Sequence, residues 1–175
     1  MVISAEHLTV GYGRTTIIDD MTFGPLEEGK VVGLIGPNAA GKSTLVKTIA
    51  GIKKPSQGTC SIVVDGCEVT GKSRTTAIGY VPQDMLTTAS LTAFESIMVS
   101  AKRRGAVDAD PVAATADIME RLNITHLADR MVSDMSGGQR QLVSVAQMLV
   151  RTPSVLLLDE PTSALDLRHQ VHLLE

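Results

Sequence analysis

The 175-residue chain lacks three features that would each indicate a different class of protein. It has only two cysteines, Cys60 and Cys67, and no secretory leader, which predicts a reduced cytoplasmic protein whose thiols are packing residues. It has no apolar run near the roughly 18 residues that span a bilayer, so a membrane role would require a partner. It also lacks excess positive charge, because 16 Lys and Arg face 19 Asp and Glu, and nucleic acid is not expected as a partner.

The apolar content, in contrast, is sufficient for a buried core. With 43% hydrophobic residues, the composition excludes a disordered tail and predicts one compact α/β domain with room for a subdomain. The alternating segment from Val2 to about Val10 predicts an edge strand, and Ile17 and Ile18 belong to a predicted second strand. The uninterrupted apolar run Val31 to Ile35 predicts a strand that is buried on both faces of a parallel sheet.

Turn signals in the middle of the chain predict an antiparallel hairpin. Asp65-Gly66 tolerates the positive φ of a tight turn, so residues 59–64 and 67–69 are expected to pair. A further short strand is predicted at Ile78–Val81, ended by Pro82-Gln83. Antiparallel strands are thus inserted into an otherwise parallel fold.

About 60 residues after Gln83 have a helical pattern. The first predicted helix covers residues 91–100, and Asp110-Pro111 supplies an N-cap and a first-turn proline for the second. Ser136 is predicted to cap a third helix that stops before Pro153. In the second helix one shared face is expected to hold Val112, Ala116, Met119 and Leu122.

Residues 36–43 fit the phosphate-loop pattern G-x-x-x-x-G-K-[ST], between a predicted strand and a predicted helix that ends at Gly51. In such a loop backbone N–H groups surround the β-phosphate, Lys42 reaches the β- and γ-phosphates, and the Ser43 hydroxyl ligates Mg²⁺. The alternative is an accidental glycine turn, which average residue frequencies produce in roughly one such chain in a hundred. The predicted nucleotide contacts are Gly36, Asn38, Ala39, Ala40, Gly41, Lys42, Ser43 and Thr44.

An acidic pair follows the apolar strand predicted at Val155–Leu158. Asp159 would lie at the C-terminal edge of a parallel sheet, beside the phosphate loop, where it can hold Mg²⁺ through water. Glu160 would point toward the γ-phosphate and polarise the attacking water as the catalytic base. Without the loop, an acidic pair here would indicate only a solvated strand end.

The sequence Ser136-Gly137-Gly138-Gln139 lies between the loop and the acidic strand, and with it the chain resembles the ATP-binding subunits of ABC (ATP-binding cassette) transporters over all 175 residues. Tyr12 resembles the aromatic residue that stacks on adenine. Gln83 resembles the glutamine that touches the metal site and the membrane partner. It is assigned a catalytic role with Glu160 and a metal-binding role with Ser43 and Asp159. Residues 163–166 resemble the loop that crosses the dimer interface.

The resemblance implies a P-loop NTPase fold, with a RecA-like parallel core, an antiparallel β subdomain and an inserted α-helical signature subdomain. The implied boundaries are 1–86 for the core with the β subdomain, 87–152 for the helical subdomain and 153–175 for the return to the core. The family binds ATP and Mg²⁺ and hydrolyses ATP. Two such subunits meet head to tail, so that each ATP lies between the Lys42 loop of one and the Ser136 turn of the other.

Further partners implied by the resemblance are integral membrane permease subunits and, indirectly, a substrate-binding protein. The subunit would lie on the inner face of the cell membrane as a cytoplasmic, peripheral protein, and two copies of this chain are expected to form a homodimer. Residues 161–170 look like those of importers of ferric siderophores, haem or cobalamin. Transport of an iron–siderophore or a related metal chelate is therefore expected.

The chain departs from the family pattern in three places. Ala39 replaces a usual glycine, which would cost on the order of 1 kcal/mol if the position needs φ > 0. Met135 replaces the leucine usual before the signature serine. Only fifteen residues follow Glu160, so the chain is expected to be a truncated cassette without the family's switch histidine, and His169 and His172 are interpreted as surface or interface residues.

Three other classes of P-loop protein remain as alternatives. A DNA-repair ATPase would separate the motifs with long coiled coils, whereas residues 84–135 number only 52. A translation factor would carry a second cassette. A small P-loop kinase or GTPase would make the Ser136 turn accidental.

Overall fold

A computed structural model of the chain describes residues 1–83, 90–102 and 110–160. Their contacts divide the chain into two compact units, Met1–Ile78 and Gly79–Glu175. The domain boundaries expected from the sequence stay predictions. The strands and helices are β1 (Val2–Tyr12), β2 (Thr15–Glu27), α1 (Lys42–Ile49), β3 (Gln57–Val64), β4 (Cys67–Glu68), α2 (Gly71–Ala77), β5 (Ile78–Val81), α3 (Ala93–Lys102), α4 (Pro111–Arg121), α5 (Gly137–Leu149) and β6 (Val155–Leu158).

The first unit is built on an antiparallel sheet of four strands in the order β2-β1-β3-β4. The prediction that β1 is an edge strand is wrong, because β1 pairs with β2 on one side and with β3 on the other. Alternation shows that one face of a strand is buried, but it carries no information on how many neighbours the strand has. A register shift at His7, which has φ 48°, keeps the apolar side chains on one face; those buried are Ile3, Ala5, Leu8 and Val10.

The hairpin predicted from Asp65-Gly66 is confirmed. Both residues have positive φ, 50° and 77°, and Val64 pairs directly with Cys67 across the turn. This two-residue loop matches the right-handed twist of the strands that it joins, which is why asparagine, aspartate and glycine are favoured in it.

The run Val31 to Ile35 does not form the buried strand that its composition predicts. Val31 is 84% exposed and Ile35 is 95% exposed, and the run forms no strand. An apolar run makes burial favourable, but a strand also needs neighbours for its N–H and C=O groups. Among residues 1–83, 90–102 and 110–160 no strand pairs with this run. The prediction considered hydropathy alone and is therefore corrected.

The described part of the second unit combines three α-helices with a two-stranded sheet of β5 and β6. The helices α3, α4 and α5 enclose an apolar cluster, as expected for a helical insert. The most deeply buried members of this cluster are Ala93, Ile97, Met119, Ile124, Val143 and Ala146. None of the helices in the described ranges is long and apolar enough to cross a lipid bilayer.

Helix α4 begins as predicted but buries a different face. The Asp110 carboxylate accepts a hydrogen bond of 3.0 Å from the Val112 N–H, which confirms the N-cap. Val112 is nevertheless 50% exposed, and the buried face contains Thr115 and Ile118 together with Met119. Thr115 can be buried because its hydroxyl donates a 2.7 Å hydrogen bond to the Pro111 carbonyl.

Candidate functional site

The phosphate loop ends in a turn that opens helix α1. Gly41 is the N-cap of this helix and has φ 89°, in the left-handed region. A Cβ atom at this position would also lie 3.0 Å from Cγ2 of Ile17, so both the backbone and the neighbouring strand require glycine. The Leu45 N–H then donates to the Gly41 carbonyl at 2.9 Å, which closes the first helical turn.

Lys42 spans the loop from its first helical position. Its Nζ atom donates hydrogen bonds to the carbonyl oxygens of Gly36, at 2.8 Å, and Pro37, at 2.9 Å. The ammonium group is therefore fixed against the loop backbone. The predicted contacts of Lys42 with the β- and γ-phosphates stay predictions.

The N-terminus of α1 has the electrostatic character of an anion site. No side chain caps it by a hydrogen bond, and its first turn has no acidic residue. The partial positive charge of a helix N-terminus is thus not offset by a carboxylate of its own first turn. Ser43 and Thr44 lie in this turn.

Ala39 has φ 64°, so the loop does place a side-chain-bearing residue in the left-handed region. Ala39 therefore has the positive φ at which strain was expected. Alanine in this region costs about 1 kcal/mol or more, and strained backbone of this kind is concentrated at ligand-binding sites.

The C-terminus of α1 is held by Arg74, which the sequence analysis did not identify. Arg74 lies on α2, a helix that was not predicted, and its guanidinium donates to the carbonyls of Ile49, at 2.8 and 3.1 Å, and Thr48, at 3.3 Å. It also donates to the Cys60 carbonyl at 3.2 Å, and so joins α1 to β3. Burial raises the pKa of the Cys60 thiol, and the charge of Arg74 opposes that increase.

Tyr12, the predicted adenine-stacking residue, lies at the end of β1 and is 49% exposed. The Lys53 ammonium is 4.2 Å from the centroid of its ring, a cation–π contact. The ring is thus accessible to a ligand. Lys53, in the loop after α1, restrains its position. Its stacking on a base stays a prediction.

The acidic pair Asp159-Glu160 follows β6. It receives hydrogen bonds from Tyr80 of β5 and from Gln83, two positions after β5. Asp159 is only 4% exposed, and its Oδ2 accepts a 3.2 Å hydrogen bond from the Tyr80 hydroxyl. Glu160, with φ 49°, accepts a 2.8 Å hydrogen bond at Oε2 from Nε2 of Gln83. The structure therefore brings together Gln83 and Glu160, which the sequence analysis had assigned to one catalytic centre. It adds Tyr80, for which only its place on the strand was known.

The Ser136 turn forms a reciprocal capping box at the start of α5. The Ser136 Oγ atom accepts a 3.3 Å hydrogen bond from the Gln139 N–H, and Oε1 of Gln139 accepts a 3.1 Å bond from the Ser136 N–H. Arg140 donates to the carbonyl of Met135. The predicted helix cap is confirmed, and Gly137 and Gly138 form the first turn. Whether these glycine amides contact a phosphate stays a prediction.

The predicted site residues are divided between the two units. Residues 36–44 and Tyr12 belong to the first, whereas Gln83, Ser136–Gln139 and the acidic pair belong to the second. The donors predicted for Mg²⁺ are the Ser43 hydroxyl, the Gln83 amide oxygen and the Asp159 carboxylate, which are the hard oxygen atoms that this cation prefers. Gln83 uses its NH₂ group for Glu160, which leaves its carbonyl oxygen as the atom suited to a cation. Residues 161–175, which include the predicted interface loop and both C-terminal histidines, lie outside the described residues.

A glycine loop that opens a helix and an acidic strand end define a P-loop NTPase of the α/β class. Residues 18–163 match the ABC transporter family, so the chain belongs to this family. A solved structure of the ATP-binding subunit of an ABC transporter superposes with a TM-score of 0.84 and 26% identity, covering 99% of this chain and 72% of that chain.

Two curated relatives are similar to this chain along almost its whole length. The ferric enterobactin transport ATP-binding protein FepC of Escherichia coli (strain K12) is 34% identical over 185 residues, covering 99% of this chain and 65% of the relative. The linearmycin resistance ATP-binding protein LnrL of Bacillus subtilis (strain 168) is 32% identical over 177 residues, covering 99% of this chain and 56% of the relative. The chain thus spans less than two thirds of the length of either protein.

Proposed function

We propose that this chain is the ATP-binding and ATP-hydrolysing subunit of an ABC transporter that drives import of an iron–siderophore or a related metal chelate. It would act as a head-to-tail homodimer on the inner face of the cell membrane. Its other partners would be the integral permease subunits and, through them, a substrate-binding protein. The alternative of a non-transport ABC ATPase in DNA repair or translation has no specific support from the described residues.

The observation that carries the proposal is the hydrogen bond between Gln83 and Glu160. It joins two side chains that are 77 positions apart in the sequence. Glu160 directly follows Asp159, the buried carboxylate at the end of β6. A carboxylate oriented by an amide donor can accept a proton from a water molecule and direct that water toward a phosphorus atom. The positive φ of Glu160 indicates that the fold holds this residue in an uncommon backbone conformation.

The loop would bind the phosphates of ATP through backbone amides and the Lys42 ammonium. Ser43, Gln83 and Asp159 would hold Mg²⁺, which when bound neutralises charge on the β- and γ-phosphates. The Ser136 turn of the partner subunit would contact the γ-phosphate with the N–H groups of its helix. Loss of that phosphate on hydrolysis removes the bridging charge, so the dimer opens, and a permease can convert this movement into transport.

The substitution Glu160→Gln tests hydrolysis. It keeps the shape of the side chain and removes its basicity, so ATP turnover should fall by about 10² or more while ATP binding persists. ATP-bound dimers should then accumulate, as measured by size-exclusion chromatography with multi-angle scattering. Glu120→Gln, an exposed position on α4, is the matched control for the same chemical change. Undiminished phosphate release in Glu160→Gln would exclude Glu160 as the base.

The transported compound is tested separately from hydrolysis. Import of a metal chelate is proposed from the relative named for ferric enterobactin, whereas the relative named for linearmycin resistance has a name that indicates a different role. Cells in which Lys42→Ala replaces the native residue should lose uptake of a radiolabelled ferric siderophore. Normal uptake combined with new sensitivity to linearmycin would contradict the import proposal and leave the ATPase proposal intact.

A further inference from the structure

Tyr80 is the residue of β5 whose side chain reaches the buried acidic residue of β6. Its hydroxyl donates a 3.2 Å hydrogen bond to Oδ2 of Asp159, a residue that is 4% exposed. The next residue along β5, Val81, accepts a 3.0 Å hydrogen bond from the Asp159 N–H. Both the backbone and the side chain of Asp159 are therefore held by the same short strand.

The neighbouring carboxylate is held in the same way. Gln83, three residues after Tyr80, donates to Glu160, one residue after Asp159. Each member of the acidic pair thus receives a hydrogen bond from its own donor, and both donors lie within the four residues from Tyr80 to Gln83. Because the two donors are on one segment, they orient the two carboxylates relative to each other as well as relative to the sheet.

We propose that Tyr80 is a positioning residue for Asp159, an inference that rests on the proposed role of Asp159 in holding Mg²⁺ with the nucleotide. The hydrogen bond from the Tyr80 hydroxyl to Oδ2 restricts the rotation of the carboxylate about the Cβ–Cγ bond. In a buried site few waters can take over this role, because Asp159 is almost inaccessible to solvent. Hydrogen-bond partners of metal-binding carboxylates change metal affinity by roughly 10- to 100-fold when they are removed. Tyr80 does not itself contact the reacting atoms.

The variant Tyr80→Phe removes the hydroxyl and keeps the ring. Binding of a fluorescent ATP analogue is titrated with Mg²⁺, and again in the presence of a chelator. The Mg²⁺ concentration at half-saturation should rise about tenfold in Tyr80→Phe, whereas affinity in the chelator should stay within about twofold of the wild type. A shifted melting temperature with an unchanged Mg²⁺ titration would show a merely structural role and would overturn the proposal.

Ser96→Ala is the matched control. Ser96 is buried, at 9% exposure, and its hydroxyl donates a 2.9 Å hydrogen bond to the Ala93 carbonyl on α3. This variant should lower stability without moving the Mg²⁺ titration. An equal shift of the titration in Ser96→Ala would mean that any loss of a hydrogen-bonding hydroxyl in this unit has the same effect, and would overturn the assignment to Tyr80.

Asp159→Asn separates this proposal from the proposed function on which it rests. If Asp159→Asn weakens the Mg²⁺ response and Tyr80→Phe does not, only the positioning role fails. If Asp159→Asn leaves the response unchanged, the proposed metal role of Asp159 fails, and the inference fails with it. The double variant should be no worse than Asp159→Asn alone, because Tyr80 acts through Asp159; additive losses would contradict this order of action.

Discussion

The two helices whose N-termini are predicted to face phosphate are built differently. Helix α1 begins after a left-handed glycine, without a side-chain cap and without an acidic residue in its first turn. Helix α5 begins with a capping box in which Ser136 and Gln139 each bond the backbone N–H of the other. Helix α1 also receives a guanidinium at its C-terminal carbonyls, whereas the last turn of α5 has no basic residue.

The difference matches the order in which the proposed mechanism uses the two helices. In that mechanism the α1 end would bind ATP within its own subunit before dimerisation, and an uncapped N-terminus leaves the interaction with the helix dipole to the ligand. In the proposed mechanism the α5 end would meet a phosphate only when a second subunit arrives, so it must be stable alone until then. A capping box provides that stability from the chain's own side chains. Four sets of variants, each with its own comparison, test this contrast.

Lys42→Ala should have the largest effect. It removes a side-chain cation that lies against the loop carbonyls, and loss of a charge-assisted hydrogen bond of this kind corresponds to about 3 kcal/mol, or roughly a hundredfold in the dissociation constant for ATP. Isothermal titration calorimetry measures this directly. Lys47→Ala removes the same charge from the last turn of the same helix and should change affinity by less than about twofold. Equal losses of ATP affinity in both variants would show that binding depends on the total charge of α1 and not on a cation at the loop.

Arg74→Met should have the next largest effect, on stability. The guanidinium is partly buried and bonds three backbone carbonyls, so its loss should lower the free energy of unfolding by about 2 kcal/mol and the melting temperature by about 4–8 °C. Arg121→Met is the control, because the side chain of Arg121 is 71% exposed and reaches Asp117 only at 4.0 Å. If the two variants melt alike, Arg74 does not secure the C-terminus of α1.

The local signals in the sequence were sufficient wherever a turn or a cap depends on adjacent residues. Asp65-Gly66, Asp110-Pro111 and Ser136 each produced the predicted geometry, because each acts within a few positions. Hydrophobic periodicity also predicted the helices of the insert. The predicted approach of Gln83 to Glu160 came from the family resemblance and not from either residue alone.

The failures concern interactions between distant parts of the chain. Arg74 was missed because its partners on α1 are 25 and 26 positions away, and Tyr80 because Asp159 is 79 positions away. The edge assignment of β1 and the strand assignment of residues 31–35 failed for the same reason, since pairing partners are not visible in one strand's own residues. Helix α2 was missed because its capping box, Thr70 with Ser73, has serine where glutamate or glutamine is the usual signal.

Ser136→Ala and Ser136→Asp together test the α5 end. Alanine removes the cap and should lower stability by about 1 kcal/mol, whereas aspartate is itself a good N-cap and should preserve stability. Aspartate would nevertheless place a negative charge where the proposed mechanism places the γ-phosphate of the partner subunit. ATP-driven dimerisation, followed by scattering in the Glu160→Gln background, should therefore be lost in Ser136→Asp. A fully folded Ser136→Asp protein that still dimerises would contradict the proposed contact.

Ala39→Gly should have the smallest effect and the opposite sign. Ala39 has φ 64°, and glycine adopts this conformation without the steric cost that alanine has, on the order of 1 kcal/mol. Relief of that strain in the loop should tighten ATP binding by about fivefold. Ala40→Gly is the comparison, because Ala40 is not among the residues with positive φ and glycine there only adds flexibility, so binding should weaken. Equal or weaker ATP affinity in Ala39→Gly, measured by the same calorimetric titration, would reject the strain argument and would show that the loop tolerates alanine at this φ.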